Sequence, residues 1–96
     1  MMVLITYDVD TISETGAKRL RKVAKVCQDY GQRVQNSVFE CRLTEAQFVI
    51  VKNKIENIIN MELDNVRFYF LRNNWPRRIE MIGKKEGVDL DGELIV

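Results

Sequence analysis

The residues able to do chemistry begin with Asp8, which closes the stretch Met2-Val3-Leu4-Ile5-Thr6-Tyr7-Asp8. Val3, Leu4 and Ile5 read as a buried strand, and Asp8 stands where that strand leaves the core. A carboxylate there can ligate a divalent cation, or can serve only as a strand-end or helix-capping group. Tyr7 alternates to the opposite side of the strand, where packing is its natural role. Asp10 points the same way as Asp8, two residues further out, and reads as a helix-start residue ahead of a second ligand. The chain has no histidine, which removes the Ser-His and Cys-His nucleophile arrangements and the commonest general base. Cys27 and Cys41 fall in apolar slots of periodic segments, as buried reduced thiols of a cytoplasmic protein would. They cannot complete a tetrahedral zinc site unless a second chain helps. Any hydrolysis therefore has to rest on carboxylates and a metal.

Net charge is only +1, but it is unevenly divided. Residues 17–42 carry Lys18, Arg19, Arg21, Lys22, Lys25, Arg33 and Arg42 against Asp29 and Glu40, a local +5. Residues 72–86 carry Arg72, Arg77, Arg78, Lys84 and Lys85 against Glu80 and Glu86, a local +3, while residues 1–16 and 87–96 each carry −3. Such segregation suits a protein with one side turned to a polyanion. Lys18, Arg21, Lys22 and Lys25 share one helix arc and form a face able to track a phosphate backbone. Arg77 and Arg78, beside Trp75, make a second candidate patch. No zinc finger, recognition helix or aromatic-rich RNA platform is present, so binding is expected to follow backbone and shape rather than bases.

These groups need elements to position them. Ser13 and the Thr11-x-x-Glu14 spacing offer helix-start chemistry, and the helix is expected to run to about Tyr30 with Gly31 as its stop signal. Ala17, Leu20, Val23, Ala24, Cys27 and Tyr30 fall on its apolar arc. Arg33-Val34-Gln35 and residues 37–43 read as two strands with a sharp turn or bulge at Asn36. On the second, Ser37, Phe39, Cys41 and Leu43 share one face, and Val38, Glu40 and Arg42 the other. Thr44-x-x-Gln47 is a capping box opening a second helix, with Phe48, Val51, Ile55 and Ile58 on its apolar stripe. Asn60 to Asn65 reads as a loop and residues 66–71 as a strand rich in β-branched and aromatic side chains. The order is β-α-β-β-α-β, an α+β ferredoxin-like unit with both helices on one sheet face.

The 96 residues make one domain, 46% apolar and 30% charged, with a core over about residues 1–72. A domain this small is only marginally stable alone, which favours oligomerisation. No run of about 18 apolar residues suggests a membrane span, and the start reads as a first strand rather than a signal peptide. Pro76, the only proline, marks a turn or strand edge. Residues 78–96 lie beyond the unit, and their apolar end, Leu94-Ile95-Val96, has no place within it. A sheet with open edges gives such a segment a use: it can cover the edge of a partner.

The Tyr7-Asp8-Val9 strand end, the Arg19-Leu20-Arg21-Lys22-Val23 helix segment and the run Arg33-Val34-Gln35-Asn36-Ser37-Val38-Phe39-Glu40 resemble the CRISPR-associated protein 2 family, in order and spacing from Met1 to about Leu43. The details look most like the variant from subtype I-C systems. The resemblance implies a homodimer in which each C-terminal strand, within about residues 78–96, joins the sheet of the other subunit. It implies that Asp8, one from each subunit, holds magnesium, with manganese as a substitute. Arg33 and Ser37 match the family's segment near the aspartates, so Arg33 could neutralise a phosphate or be a solvated arginine. Phe39 is a core or interface residue, with base stacking as the sharper alternative. The implied function is spacer acquisition: the homodimer binds duplex DNA and bridges two dimers of the integrase, CRISPR-associated protein 1. Magnesium-dependent cleavage of double-stranded DNA or single-stranded RNA is the enzymatic reading. A toxin-type ribonuclease or a non-catalytic interaction module on the same fold is the alternative.

Overall fold

The computed structural model describes residues 1–9, 12–71 and 78–84, with Arg78 given by its backbone. Among these residues seven elements follow in order: β1 (Met2–Asp8), α1 (Glu14–Gln28), β2 (Gly31–Gln35), β3 (Val38–Arg42), α2 (Glu45–Ile58), β4 (Asn65–Leu71) and β5 (Arg78–Gly83). The strands form one antiparallel sheet in the order β2-β3-β1-β4-β5. Its first four strands have the ferredoxin-like arrangement, and β5 extends the β4 edge.

Alternation with period two sorts the side chains of the central strands. Val3, Ile5 and Tyr7 of β1, Phe39 and Cys41 of β3, and Val66, Phe68 and Phe70 of β4 are buried and join one core cluster. The helices close that core with Leu20, Val23, Ala24 and Cys27 from α1 and Phe48, Val51 and Ile55 from α2. Phe48 meets Phe68 and Phe70 edge-on, with ring centroids 5.3 and 4.9 Å away. No helix of the described residues covers the opposite face: Met2, Leu4, Thr6, Arg67, Tyr69 and Met81 are half-buried there, and Asp8, Arg42 and Leu71 are exposed.

Both helix starts follow the sequence. The Ser13 side chain accepts from the Gly16 N–H, and Thr44 and Gln47 form the reciprocal capping box. The end of α1 differs. The helix closes at Gln28, with Asp29 as its C-cap in right-handed geometry, so Gly31 is not its stop signal. Gly31 opens β2, and a Cβ there would lie 2.0 Å from the Glu40 carbonyl oxygen and 2.7 Å from the Cys41 Cα. Its missing side chain lets β2 approach β3. A register shift between Arg33 and Gln35 supplies the irregularity expected near Asn36.

Residues 78–83, grouped by the sequence with the exchanging terminus, pair along β4 of their own chain from Asn65↔Gly83 to Phe70↔Arg78. Among the described residues the edge strands of this sheet are therefore β2 and β5, not β4. Leu94, Ile95 and Val96 lie outside the described residues, as do Asp10, Thr11, Arg72, Trp75, Pro76, Arg77 and the Arg78 side chain.

Candidate metal and nucleic-acid site

The alternation that buries Tyr7 sends Asp8 outward: Asp8 is exposed, and Tyr7 is 2% exposed. Asp8 is the last β1 residue and opposes Asn65 at the start of β4, while Thr6 opposes Arg67. Together with Tyr7 and Ser37 these residues line an open depression of about 310 Å³. Ser37 is brought there by the β2–β3 turn, where its carbonyl accepts from the Tyr7 N–H at 2.9 Å. Arg67 is a cation at this depression that sequence reasoning missed, because only the β1–β4 register places it beside Thr6 and Asp8.

Among the described residues no three histidine, cysteine, aspartate or glutamate side chains are grouped so as to hold a metal ion. Among the described residues Asp8 is the one hard carboxylate at this depression, with the neutral oxygens of Ser37 and Asn65 nearby. This donor set fits magnesium, which keeps several waters and takes one or two protein carboxylates. It does not fit zinc or another ion that needs a soft or complete protein shell. The two thiols are no substitute: Cys27 and Cys41 are fully buried, and the Cys41 thiol donates to the Cys27 carbonyl at 3.4 Å. Interaction with Cys41 and burial push the Cys27 thiol up, so it stays protonated.

Lys18, Arg21, Lys22 and Lys25 are all exposed on α1, as one face. Arg33 is exposed on β2 and folds back over its own hairpin turn. Its Nε donates to the Asn36 carbonyl at 2.7 Å, and its guanidinium lies 5.5 Å from the centre of the Phe39 ring. The Phe39 ring is fully buried in the core, so it offers no free face for stacking a base. This corrects the base-stacking alternative and bears out packing.

Arg19 behaves unlike its neighbours. It turns inward and grips Asp64 through Nε–Oδ2 (2.7 Å) and Nη2–Oδ1 (3.1 Å), its side chain 14% exposed and that of Asp64 not at all. Asp64 Oδ2 also accepts from the Tyr7 hydroxyl at 2.6 Å and from the Asn60 N–H at 3.0 Å. Burial alone would raise the Asp64 carboxyl, but hydrogen bonds from Arg19, Tyr7 and Asn60 outweigh it and hold the group below the usual range. Burial, then the hydrogen bond to Asp64, pushes the Tyr7 phenol well above its ordinary value. The sequence showed Asp64 only as a loop residue. The available signal was Arg19: at about 100° per residue it falls on the margin of the apolar arc, where an arginine needs a buried anion.

Comparison with known proteins places this geometry. Residues 1–79 match the family model described as CRISPR associated protein Cas2. The chain is 54% identical over 95 residues to the CRISPR-associated endoribonuclease Cas2 3 of Rhodospirillum rubrum, covering 99% of this chain and 100% of that one. It is equally 54% identical over 95 residues to the CRISPR-associated endonuclease Cas2 of Halalkalibacterium halodurans, covering 99% of each. The crystal structure of Streptococcus pyogenes Cas2 at pH 6.5 superposes with a TM-score of 0.74 at 60% identity, over 78% of this chain and 90% of that one. With the Asp8 strand end, the four-strand ferredoxin-like order and these matches in agreement, the chain belongs to the CRISPR-associated protein Cas2 family.

Proposed function

We propose that the chain acts as a homodimer in CRISPR adaptation, holding duplex DNA by its backbone and bridging integrase dimers, with a metal-dependent nuclease centre at Asp8. The observation that carries this reading is the position of Asp8, exposed at the end of a sheet face over which no helix of the described residues lies. Met2, Leu4, Tyr69 and Met81 leave that face partly apolar, and a second copy set against it across a two-fold axis would bring the two Asp8 residues together. Two carboxylates then suffice for a hydrated magnesium or manganese ion. Such an ion, when bound, supplies polarisation of the phosphoryl oxygen and a water of lowered pKa.

The chain's own residues have separate tasks. Asp8 provides the anionic ligand. Arg67, at the same depression, neutralises a phosphate oxygen next to the scissile group, and Arg33 meets a neighbouring phosphate from the hairpin. The α1 face of Lys18, Arg21, Lys22 and Lys25 follows the backbone of the duplex. Nuclease names among the relatives support the catalytic half of the reading, and RNA and duplex DNA are both substrates to test.

The deciding experiment compares the purified chain with Asp8→Asn on RNA and on duplex DNA, in magnesium, manganese or chelator. Cleavage that depends on the ion and falls by orders of magnitude in Asp8→Asn is expected, with duplex binding kept or slightly tightened as two negative charges per dimer disappear. Undiminished cleavage by Asp8→Asn would place the activity elsewhere. Spacer acquisition that survives Asp8→Asn but not neutralisation of the α1 face would assign the cellular role to the scaffold.

A further inference from the structure

We infer that Asp64 is the positioning residue of the Asp8 site. Its carboxylate ties the strand end that carries Asp8 to the helix that carries the basic face. The inference rests on the functional reading above and adds a residue to it. Three parts of the chain meet on this one side chain: Tyr7, the residue before Asp8; Arg19, beside Lys18 on α1; and Asn60, the residue after the α2 C-cap. The main chain extends the tie. The Asp64 carbonyl accepts from the Lys84 N–H at 2.6 Å, the Asn65 side chain donates to the Lys84 carbonyl at 2.8 Å, and Asn65 is the ladder partner of Asp8.

A carboxylate does here what a hydrocarbon would not. An apolar residue of similar volume often replaces a buried ion pair without loss of stability. Burial energy is non-directional, whereas the hydrogen bonds to Asp64 arrive from fixed directions and leave none of its acceptors idle. Among the described residues no buried side-chain polar atom lacks a partner. Strand ends are where a sheet opens first, and a metal ligand must be held to within about 0.5 Å to work. The Tyr7 hydroxyl anchors the inner side of β1 one residue before Asp8 turns outward. The same carboxylate fixes the start of α1 through Arg19, so the ligand and the phosphate-tracking face keep a constant relation.

Asp64→Asn and Tyr7→Phe test this, each measured per folded molecule at a temperature well below its melting point. Three readouts are compared with the wild-type chain: amide hydrogen exchange, Mn²⁺ affinity by electron paramagnetic resonance, and the kcat and KM of cleavage. The expected result is exchange at least tenfold faster at the Tyr7, Asp64 and Lys84 amides, with the Leu43 amide at the far end of β1 unchanged. Mn²⁺ affinity should fall about fivefold or more, and kcat about tenfold or more at constant KM. Tyr7→Phe removes one hydroxyl and leaves the Arg19 pair, so it should show smaller changes of the same kind and carries the test if Asp64→Asn does not fold. Uniformly faster exchange with unchanged Mn²⁺ affinity and kcat would overturn the inference and leave Asp64 a purely stabilising residue. Asp8→Asn separates the two levels. If it binds Mn²⁺ as the wild type does, the metal reading of Asp8 fails, and local exchange at Tyr7 and Lys84 alone then decides whether Asp64 holds the strand end.

Discussion

Truncating Asp64 to alanine should be among the most damaging single changes in this chain, and the structure sets the scale. Asp64→Ala removes a fully buried carboxylate and strands three donors: the Tyr7 hydroxyl, the Asn60 N–H and the Arg19 guanidinium. A buried donor left without a partner costs about 1–3 kcal/mol, and breaking one side of a buried ion pair about 3–5 kcal/mol. These costs overlap, and Arg19, with 14% of its side chain exposed, can turn partly toward water. The expected loss is therefore about 3–5 kcal/mol, a large fraction of the roughly 5–15 kcal/mol that holds a small domain together. At about 4–8 °C per kcal/mol, melting should fall by roughly 12–40 °C. Urea denaturation followed by circular dichroism measures it, at fixed protein concentration because association shifts apparent stability. The control is Lys52→Met, which breaks the half-exposed Lys52–Glu80 pair (3.1 Å) and should cost under about 1 kcal/mol. The acid limb gives a second check with a definite sign. The Asp64 carboxyl is held below its unfolded value, so its stabilisation is complete above about pH 4 and is lost as pH falls through the folded value. Wild-type and Asp64→Asn stabilities should converge there. A loss below about 1 kcal/mol for Asp64→Ala, or parallel acid limbs, would refute the reasoning.

Two further outcomes are expected. Neutralising Lys18, Arg21, Lys22 and Lys25 together should flatten the plot of log duplex affinity against log salt by about 0.9 per phosphate contact removed; an unchanged slope would move the duplex to another surface. Gly31→Ala puts a Cβ 2.0 Å from the Glu40 carbonyl oxygen. It should cost about 1–3 kcal/mol as overpacking does, and it should speed exchange of the Arg42 amide, which donates to the Tyr30 carbonyl at 3.3 Å. A neutral Gly31→Ala would show that β2 and β3 can separate freely.

The elements were readable wherever one local rule decided them. Alternation placed Tyr7 inside and Asp8 outside, and the Thr44-x-x-Gln47 spacing placed the start of α2 to the residue. Gly31 was misread because a glycine after a helix has two common physical uses, a left-handed cap or a close approach between chains. Only the strand pairing distinguishes them: the described glycine with positive φ is Gly83, at 97°, where a Cβ would meet the Asp64 carbonyl at 2.2 Å. That contact joins residues far apart in sequence, so no local pattern announces it. The fifth strand was obscured for a similar reason. Residues 79–83 fall beyond the β-α-β-β-α-β order in the sequence, and their pairing depends on β4 being open in the same chain.

The candidate site divides along the same line. Asp8 and the four cations of α1 were legible because exposure on a strand end or a helix arc follows from periodicity. Arg67 and Asp64 were not, because each owes its place to register or to a loop closure. The arginines make the distinction physical. Arg19 and Arg21 are two residues apart on one helix and chemically identical, yet one is locked against a buried carboxylate and the other lies open to solvent. A count of positive charge over residues 17–42 treats them alike and overstates the charge offered to a polyanion, since Arg19 is already neutralised within the fold. Their substitutions should therefore fail differently. Loss of Arg21 weakens a salt-dependent contact and leaves the fold intact, whereas loss of Arg19 leaves Asp64 buried and unpaired, and reaches nucleic acid only through the strand end and helix start that it no longer holds together.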